Sequence, residues 1–133
     1  MDQFNYRAWF EPFTERHYVK NFRKAYKDKW LATEQAIIAV CERIDNMLQY
    51  KRADLIYSVD HFRLVKLDFA VAGTQMSSKA SGNRCIVLVD EVKREARILL
   101  VYSKNDISLQ NETQKWKEII KGEYEGIASL FRL

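Results

Sequence analysis

The sequence predicts an α+β fold: a small antiparallel, twisted sheet with an N-terminal helical hairpin packed on one face and a C-terminal helix. Three observations lead to this prediction. Strand-like apolar runs lie in the second half of the chain, apolar residues at helical spacing lie in the first half, and a short helical pattern lies near the end. With 133 residues and 47% hydrophobic content, the chain is large enough for one core, so we expect a single domain over residues 1–133.

An edge strand and a first helix are predicted near the N-terminus. Residues 7–13 (RAWFEPF) are rich in aromatic side chains, and the run closes near a proline, where no strand hydrogen bond is needed. Thr14 then offers a helix cap, and aromatic residues recur every four positions at Tyr18, Phe22 and Tyr26. The rest of this helix carries cations, which form either a solvated face or a secondary contact with nucleic acid.

The second predicted helix has the stronger apolar stripe. It starts at Thr33, a fair cap, and Glu34 in its first turn complements the helix dipole. Its apolar residues at helical spacing are Ile37, Val40, Cys41, Ile44, Met47 and Leu48. Because such a stripe must be buried, we expect the hairpin to pack on the sheet and to leave the other face of the sheet polar.

Three strands and a final helix are predicted downstream of a polar break at residues 49–60. The strands have apolar composition, and the polar, glycine-containing or charged segments between them read as a loop and a turn. A short helical pattern around Trp116 ends near Gly122. In chain order we predict a strand at 61–69, a loop at 70–83, a strand at 84–89, a turn at 90–95 and a strand at 96–102.

The positive charge is concentrated in the predicted sheet. The chain carries a net charge of +4, and residues 62–104 hold 8 Lys/Arg against 4 Asp/Glu, whereas the flanking segments are nearly balanced. A local basic surface favours a polyanion, because each phosphate that is neutralised releases counterions. The alternative is an ordinary solvated face of the sheet. The candidate cations are Arg63, Lys66, Lys79, Arg84 and Lys104.

Several classes of site are absent from the sequence. It contains no GxxxxGK[ST], GxGxxG, GxSxG or HExxH motif, and Cys41 and Cys85 lie in apolar runs away from any CxxC pair. We therefore predict no cofactor and no metal site. A ribonuclease pair formed by His17 and His61, the two histidines of the chain, stays open. Because no secretory start and no long apolar run is present, we expect a cytoplasmic protein that does not enter a membrane.

Cations at strand ends around a loop fit phosphodiester chemistry on RNA. The 2′-hydroxyl of RNA can attack its own phosphate, and a protein accelerates this reaction by positioning the strand and by placing fixed cations near the phosphorane. A lysine beside other cations also gives up its proton more easily, so such a cluster can supply both charge and a proton acceptor. This chemistry does not require a metal ion.

The order of motifs in residues 62–124 resembles the RelE/ParE toxin superfamily, especially its RelE/HigB-like branch. The order is FRLVKL, a loop, SGNR with an apolar strand, a turn, a strand that ends in YSKND, and a helix. The resemblance implies a RelE-like fold and the toxin of a type II toxin–antitoxin system. It also implies a ribosome-dependent, metal-independent mRNA endonuclease (mRNA interferase) that inhibits translation. The implied partners are a cognate helix-turn-helix antitoxin, the ribosome and mRNA, with operator DNA contacted only through the antitoxin.

The resemblance also implies roles for individual residues. Arg84 follows the SG step and stabilises the phosphorane, and Lys66 on the preceding strand stabilises charge or transfers a proton. Lys104 completes the catalytic set and grips the RNA backbone. The implied RNA-binding residues are Arg63, Lys79 and Asn105.

The sequence also departs from the pattern of this superfamily. Leu64 occupies a strand position that is often lysine, and the loop TQMSSKASG has one lysine where many relatives have several. A rival hypothesis is therefore a ParE-like toxin that inhibits gyrase without catalysis, or an inactive relative that binds an antitoxin.

Overall fold

A computed structural model describes residues 5–133, which form a mixed five-stranded sheet with helices around it. The strand order is β1-β5-β4-β3-β2, and neighbours are antiparallel except β1, which runs parallel to β5. The α+β class is confirmed, but the prediction of an antiparallel sheet is wrong at this edge. The short turn between β4 and β5 requires these strands to be antiparallel. The long connection between β1 and the rest of the sheet allows β1 to run in either direction relative to β5. The strands are β1 Arg7–Phe10, β2 Asp54–Val59, β3 Phe62–Phe69, β4 Asn83–Asp90 and β5 Glu95–Tyr102.

The predicted N-terminal helices are broken into shorter segments. Thr33 does not cap a helix, because its hydroxyl donates to the Lys29 carbonyl at 2.8 Å inside α3 and accepts the Ala72 amide at 2.8 Å. Thr14 likewise accepts the Val101 amide at 2.8 Å, which ties the first turn to β5. The helical segments are α1 Pro12–Thr14, a π-helical turn Glu15–Val19, α2 Lys20–Tyr26, α3 Asp28–Glu42, α4 Ile44–Gln49, α5 Ser78–Ser81, α6 Glu112–Glu123 and α7 Glu125–Phe131.

Strand β2 lies in the segment that was predicted to be a polar break. Its sequence, DLIYSV, does not alternate cleanly between apolar and polar residues, and its pairing with β3 shifts register between Leu55 and Tyr57. It is also an edge strand, and its first two residues are exposed. An irregular, half-exposed edge strand lacks the period-two pattern on which sequence prediction depends.

Helices cover both faces of the sheet, so the expectation of a free polar face is wrong. On one face, Trp30, Ile37 and Cys41 of α3 form an apolar cluster with side chains of β3, β4 and β5. On the other face, Trp116 of α6 and Phe131 of α7 form a second cluster with the same three strands. The second face is covered because β4 is apolar at both parities, and a strand with that composition is buried on both sides.

Among residues 5–133, no helix combines the length and the apolar character needed to cross a membrane. The prediction that the chain starts without a secretory signal rests partly on residues 1–4, which lie outside the described residues.

Candidate functional site

The SGNR motif fastens the loop after β3 to the end of the sheet. Ser81 donates its hydroxyl to the Phe69 carbonyl at 2.5 Å and accepts the Asn83 amide at 3.1 Å. Gly82 adopts the left-handed conformation, with φ of 75°, which a residue without a Cβ atom enters at little cost. A Cβ atom at Gly82 would lie 3.0 Å from the Cβ and Cδ atoms of Lys104. The motif therefore joins the loop, β4 and the segment after β5.

We expect Gly82→Ala to lower the free energy of unfolding by about 1–2 kcal/mol, because an L side chain is strained at this φ and meets the Lys104 stem. Gly126→Ala is the matched control, since a Cβ atom there meets nothing within 4 Å inside α7. The control is expected to be neutral or to stabilise by up to about 1 kcal/mol. Urea unfolding followed by tryptophan fluorescence measures both variants, and equal effects would contradict this account of the motif.

Arg84 is paired inside the protein and does not face solvent. It lies on β4 opposite Asp68 of β3 and Tyr102 of β5. Its Nε donates to Asp68 Oδ1 at 2.8 Å, its Nη1 lies 3.3 Å from Glu112 Oε1, and its side chain is only 14% exposed. Two carboxylates therefore neutralise the cation beneath α6.

Tyr102 completes this cluster. Its hydroxyl donates to Glu112 Oε2 at 2.7 Å. Burial, followed by that hydrogen bond, raises the pKa of Tyr102. The phenol therefore stays protonated and is a poor candidate for a general base.

Lys66 and Lys79 lie together on a cleft at the open edge of β3. Strand β2 begins at Asp54, which pairs with Lys66, so within the described chain the last three residues of β3 pair with β4 on one side and have no strand on the β2 side. The resulting cleft has a volume of about 480 Å³. Its wall also carries Lys51 and Arg52, which follow α4. Four cationic residues therefore line the cleft, together with Asp54 and with Asp68, whose carboxylate is paired with Arg84.

Lys51 and Arg52 were not among the residues predicted from the sequence. They lie in the segment that was read as a polar break, and only the return of the chain from α4 into β2 places them opposite Lys66. The signal that could have found them is the pair of adjacent cations directly before a strand-like run, QYKRADLIYSV. The sequence gives the charge of Lys51 and Arg52 but does not show on which side of the sheet these two residues lie.

Lys104 and Asn105 lie in a second groove, with a volume of about 330 Å³. The loop between β3 and β4 forms a wall of both cavities: Lys79 lines the cleft, whereas Met76 and Ser81 line the groove. The structure therefore places four of the six predicted residues in two pairs, with Lys66 and Lys79 on one side of this loop and Lys104 and Asn105 on the other.

Arg63 lies at the opposite end of β3, away from the cleft. It donates to Asp45 Oδ1 at 2.6 Å, and its Nε lies 3.0 Å from Glu91 Oε1. Asp68 lies five positions after Arg63 along the strand, a distance of roughly 17 Å at about 3.4 Å per residue. The structure does not bring Arg63 to the other predicted site residues, and its ion pairs instead join α4 to the sheet.

The two histidines are not brought together either. The His17 ring packs on Phe13 with a centroid distance of 4.9 Å, and the His61 ring packs on Phe62 at 4.2 Å, with its Nε2 3.8 Å from Asp90. Within the part of the chain that the structure describes, no hydrogen bond joins them.

Comparison of the chain with protein-family models, with curated proteins and with solved structures finds no match.

Proposed function

We propose that this protein is the toxin of a type II toxin–antitoxin system and acts as a ribosome-dependent, metal-independent mRNA endonuclease. The observation that carries the proposal is the cleft at the open edge of β3, whose lining residues include Lys51, Arg52, Lys66 and Lys79. Four cations against two carboxylates leave this surface positive. A positive cavity of this size favours a phosphate of a nucleic-acid backbone.

The proposed reaction uses the 2′-hydroxyl of the RNA as the nucleophile. The 2′-hydroxyl gives up its proton to a base, a bond forms between the 2′-oxygen and phosphorus, the bond from phosphorus to the 5′-oxygen breaks, and the departing oxygen takes up a proton. Lys66 on β3 stabilises the charge of the phosphorane or transfers the proton. Lys79 belongs to the short helix α5, which Ser81 ties to Phe69, so the fold holds this second cation against the strand.

Arg84 has a positioning role in this proposal. The resemblance to RelE-type toxins implied that it contacts the phosphorane directly, but its pairs with Asp68 and Glu112 occupy the guanidinium. The pair with Asp68 joins β4 to the end of β3, directly beside the cleft. Arg84 is therefore proposed to fix the wall of the site from which Lys66 acts.

We expect Lys66→Ala and Lys79→Ala each to lower mRNA cleavage by ~10²-fold or more, because each removes a fixed cation from the phosphorane. Cleavage is measured by mapping new RNA ends within translated mRNAs after brief induction in cells. Lys93→Ala is the matched control, since Lys93 is an exposed lysine in the turn between β4 and β5, at the other end of the sheet. Full cleavage by both cleft variants would overturn the proposed site.

A second candidate function is a non-catalytic toxin that inhibits gyrase, or an inactive relative that binds an antitoxin. The pairing of Arg84 with two carboxylates favours it, because the cation of the SGNR motif is already neutralised. DNA damage without new mRNA ends after induction would support the gyrase alternative. Either kind of toxin is expected to have a neighbouring gene for a small helix-turn-helix protein, and the absence of such a gene would count against both.

A further inference from the structure

The groove that holds Lys104 and Asn105 differs in chemistry from the cationic cleft. It lies between α2 and the ends of β4 and β5, and it contains one lysine and one aspartate. The Asp106 carboxylate already accepts the Ser103 amide at 2.9 Å. What remains is a nearly neutral cavity with the side-chain amides of Asn21, Asn83 and Asn105 on its wall. We call this cavity the amide groove.

Asn83 is the residue of the SGNR motif whose side chain the fold leaves unused. Ser81 bonds the Phe69 carbonyl, and Arg84 pairs with two carboxylates. Asn83 is only 8% exposed and lines the amide groove, and its carboxamide makes no hydrogen bond within residues 5–133. The carboxamide atoms are not among the fully buried polar atoms of the described residues that lack a partner, so they are open to the groove and can bond to water or to a ligand there. A ligand in the groove would satisfy one donor and one acceptor there.

Tyr26 supplies an aromatic wall to the same groove. Its ring stacks on Phe22, with centroids 6.3 Å apart and planes inclined by 26°. Tyr26 is 37% exposed although its ring stacks on the core residue Phe22, so part of the ring is open to solvent. An amide beside an aromatic ring in a neutral cavity matches a flat ligand with donors and acceptors on its edge. Proteins bind unpaired bases of RNA in this way, by stacking and by hydrogen bonds to the base edge.

We propose that the amide groove binds one unpaired nucleobase of single-stranded RNA, with the Asn83 carboxamide on the base edge and Tyr26 against the base plane. The assignment to RNA rests on the proposed function of the neighbouring cleft. The two cavities share the loop between β3 and β4 as a wall, so a strand that crosses the loop places a phosphate on one side and a base on the other. The cleft supplies charge, and the amide groove supplies base preference.

The test compares two short fluorescent oligoribonucleotides that bind to the purified protein. One carries its bases, and the other has the same length and phosphates but an abasic ribose at every position. The unmodified protein is expected to bind the first oligonucleotide more tightly. Tyr26→Ala and Asn83→Ala are each expected to weaken binding of the first by roughly ten-fold or more and to leave binding of the second unchanged.

Two matched variants complete the design. Tyr50→Ala removes an exposed tyrosine outside the groove and is expected to change neither affinity. Lys66→Ala removes a cation of the cleft and is expected to weaken both oligonucleotides equally. Thermal unfolding checks that each variant is folded, and if Asn83→Ala is not, the half-exposed Tyr26 carries the test.

The outcomes separate this inference from the proposed nuclease. Equal binding of both oligonucleotides by the unmodified protein, or no binding of either, overturns the base site whether or not mRNA is cleaved in cells. An unchanged preference in both groove variants overturns it as well. A base preference that depends on Tyr26 and Asn83, in a protein that cleaves no mRNA, supports the base site and removes the nuclease assignment.

Discussion

Trp116→Ala is expected to lower the free energy of unfolding by about 3–5 kcal/mol, the usual cost of removing a large aromatic side chain from a packed core. Trp116 lies on α6 and is 1% exposed. It belongs to the apolar cluster that includes Leu64 of β3, Ile86 of β4 and Leu100 of β5. The truncation therefore opens a cavity between the C-terminal helices and the sheet.

Urea unfolding of the purified variants measures this loss. Tyr50→Ala is the control, because Tyr50 is 68% exposed and its removal opens no cavity. A change within about 0.5 kcal/mol is expected for the control. If Trp116→Ala were equally mild, α6 would not cover the second face, and the sheet would present the open polar face that the sequence predicted.

The three strands that the sequence located correctly share one property. Strands β3, β4 and β5 match their predicted positions to within one residue at each end, because runs rich in apolar residues and bounded by polar segments determine them locally. The missed elements lack such runs. Strand β2 is an irregular edge, and α7 follows directly after α6 with only Tyr124 between them.

The sequence itself indicates that both faces of the sheet are covered. Residues 84–89 are apolar at both parities, which indicates burial on both sides. The helical pattern around Trp116 also needed a surface to cover. Together they require helices on both faces, whereas the apolar stripe of the N-terminal hairpin alone predicts a cover on one face.

The candidate site depends on information that a single sequence does not contain. Lys66 and Lys79 could be chosen by charge and position, and the structure places both on the cleft. The partners of Arg84 could not be predicted in this way. Asp68 becomes its neighbour through the register of β3 and β4, and Glu112 lies on α6, which is distant in the sequence. Strand register and the packing of distant helices are tertiary properties. The sequence therefore predicts that Arg84 belongs to the site but does not predict that two carboxylates pair with it.

Arg84→Ala is expected to lower the free energy of unfolding by roughly 3–5 kcal/mol, because it leaves the largely buried carboxylates of Asp68 and Glu112 without a counter-charge. Chemical denaturation of the purified variant measures the loss. A failure of this variant to arrest growth therefore does not by itself identify Arg84 as a catalytic residue. Adding Asp68→Asn and Glu112→Gln removes both unpaired charges, and the triple variant is expected to recover most of the lost stability.

The triple variant then separates the two roles of Arg84 once its stability is restored. If Arg84 only positions the end of β3, the mRNA cleavage by the stable triple variant is expected to lie within about ten-fold of the cleavage by the unmodified protein, since the cations of the cleft remain. If Arg84 contacts the phosphorane directly, cleavage is expected to stay ~10²-fold or more below that of the unmodified protein despite a stable fold. Asp68→Asn with Glu112→Gln in the presence of Arg84 is the control, because it frees the guanidinium and leaves it in place. A rise in cleavage by this control would show that the two carboxylates hold Arg84 away from the RNA.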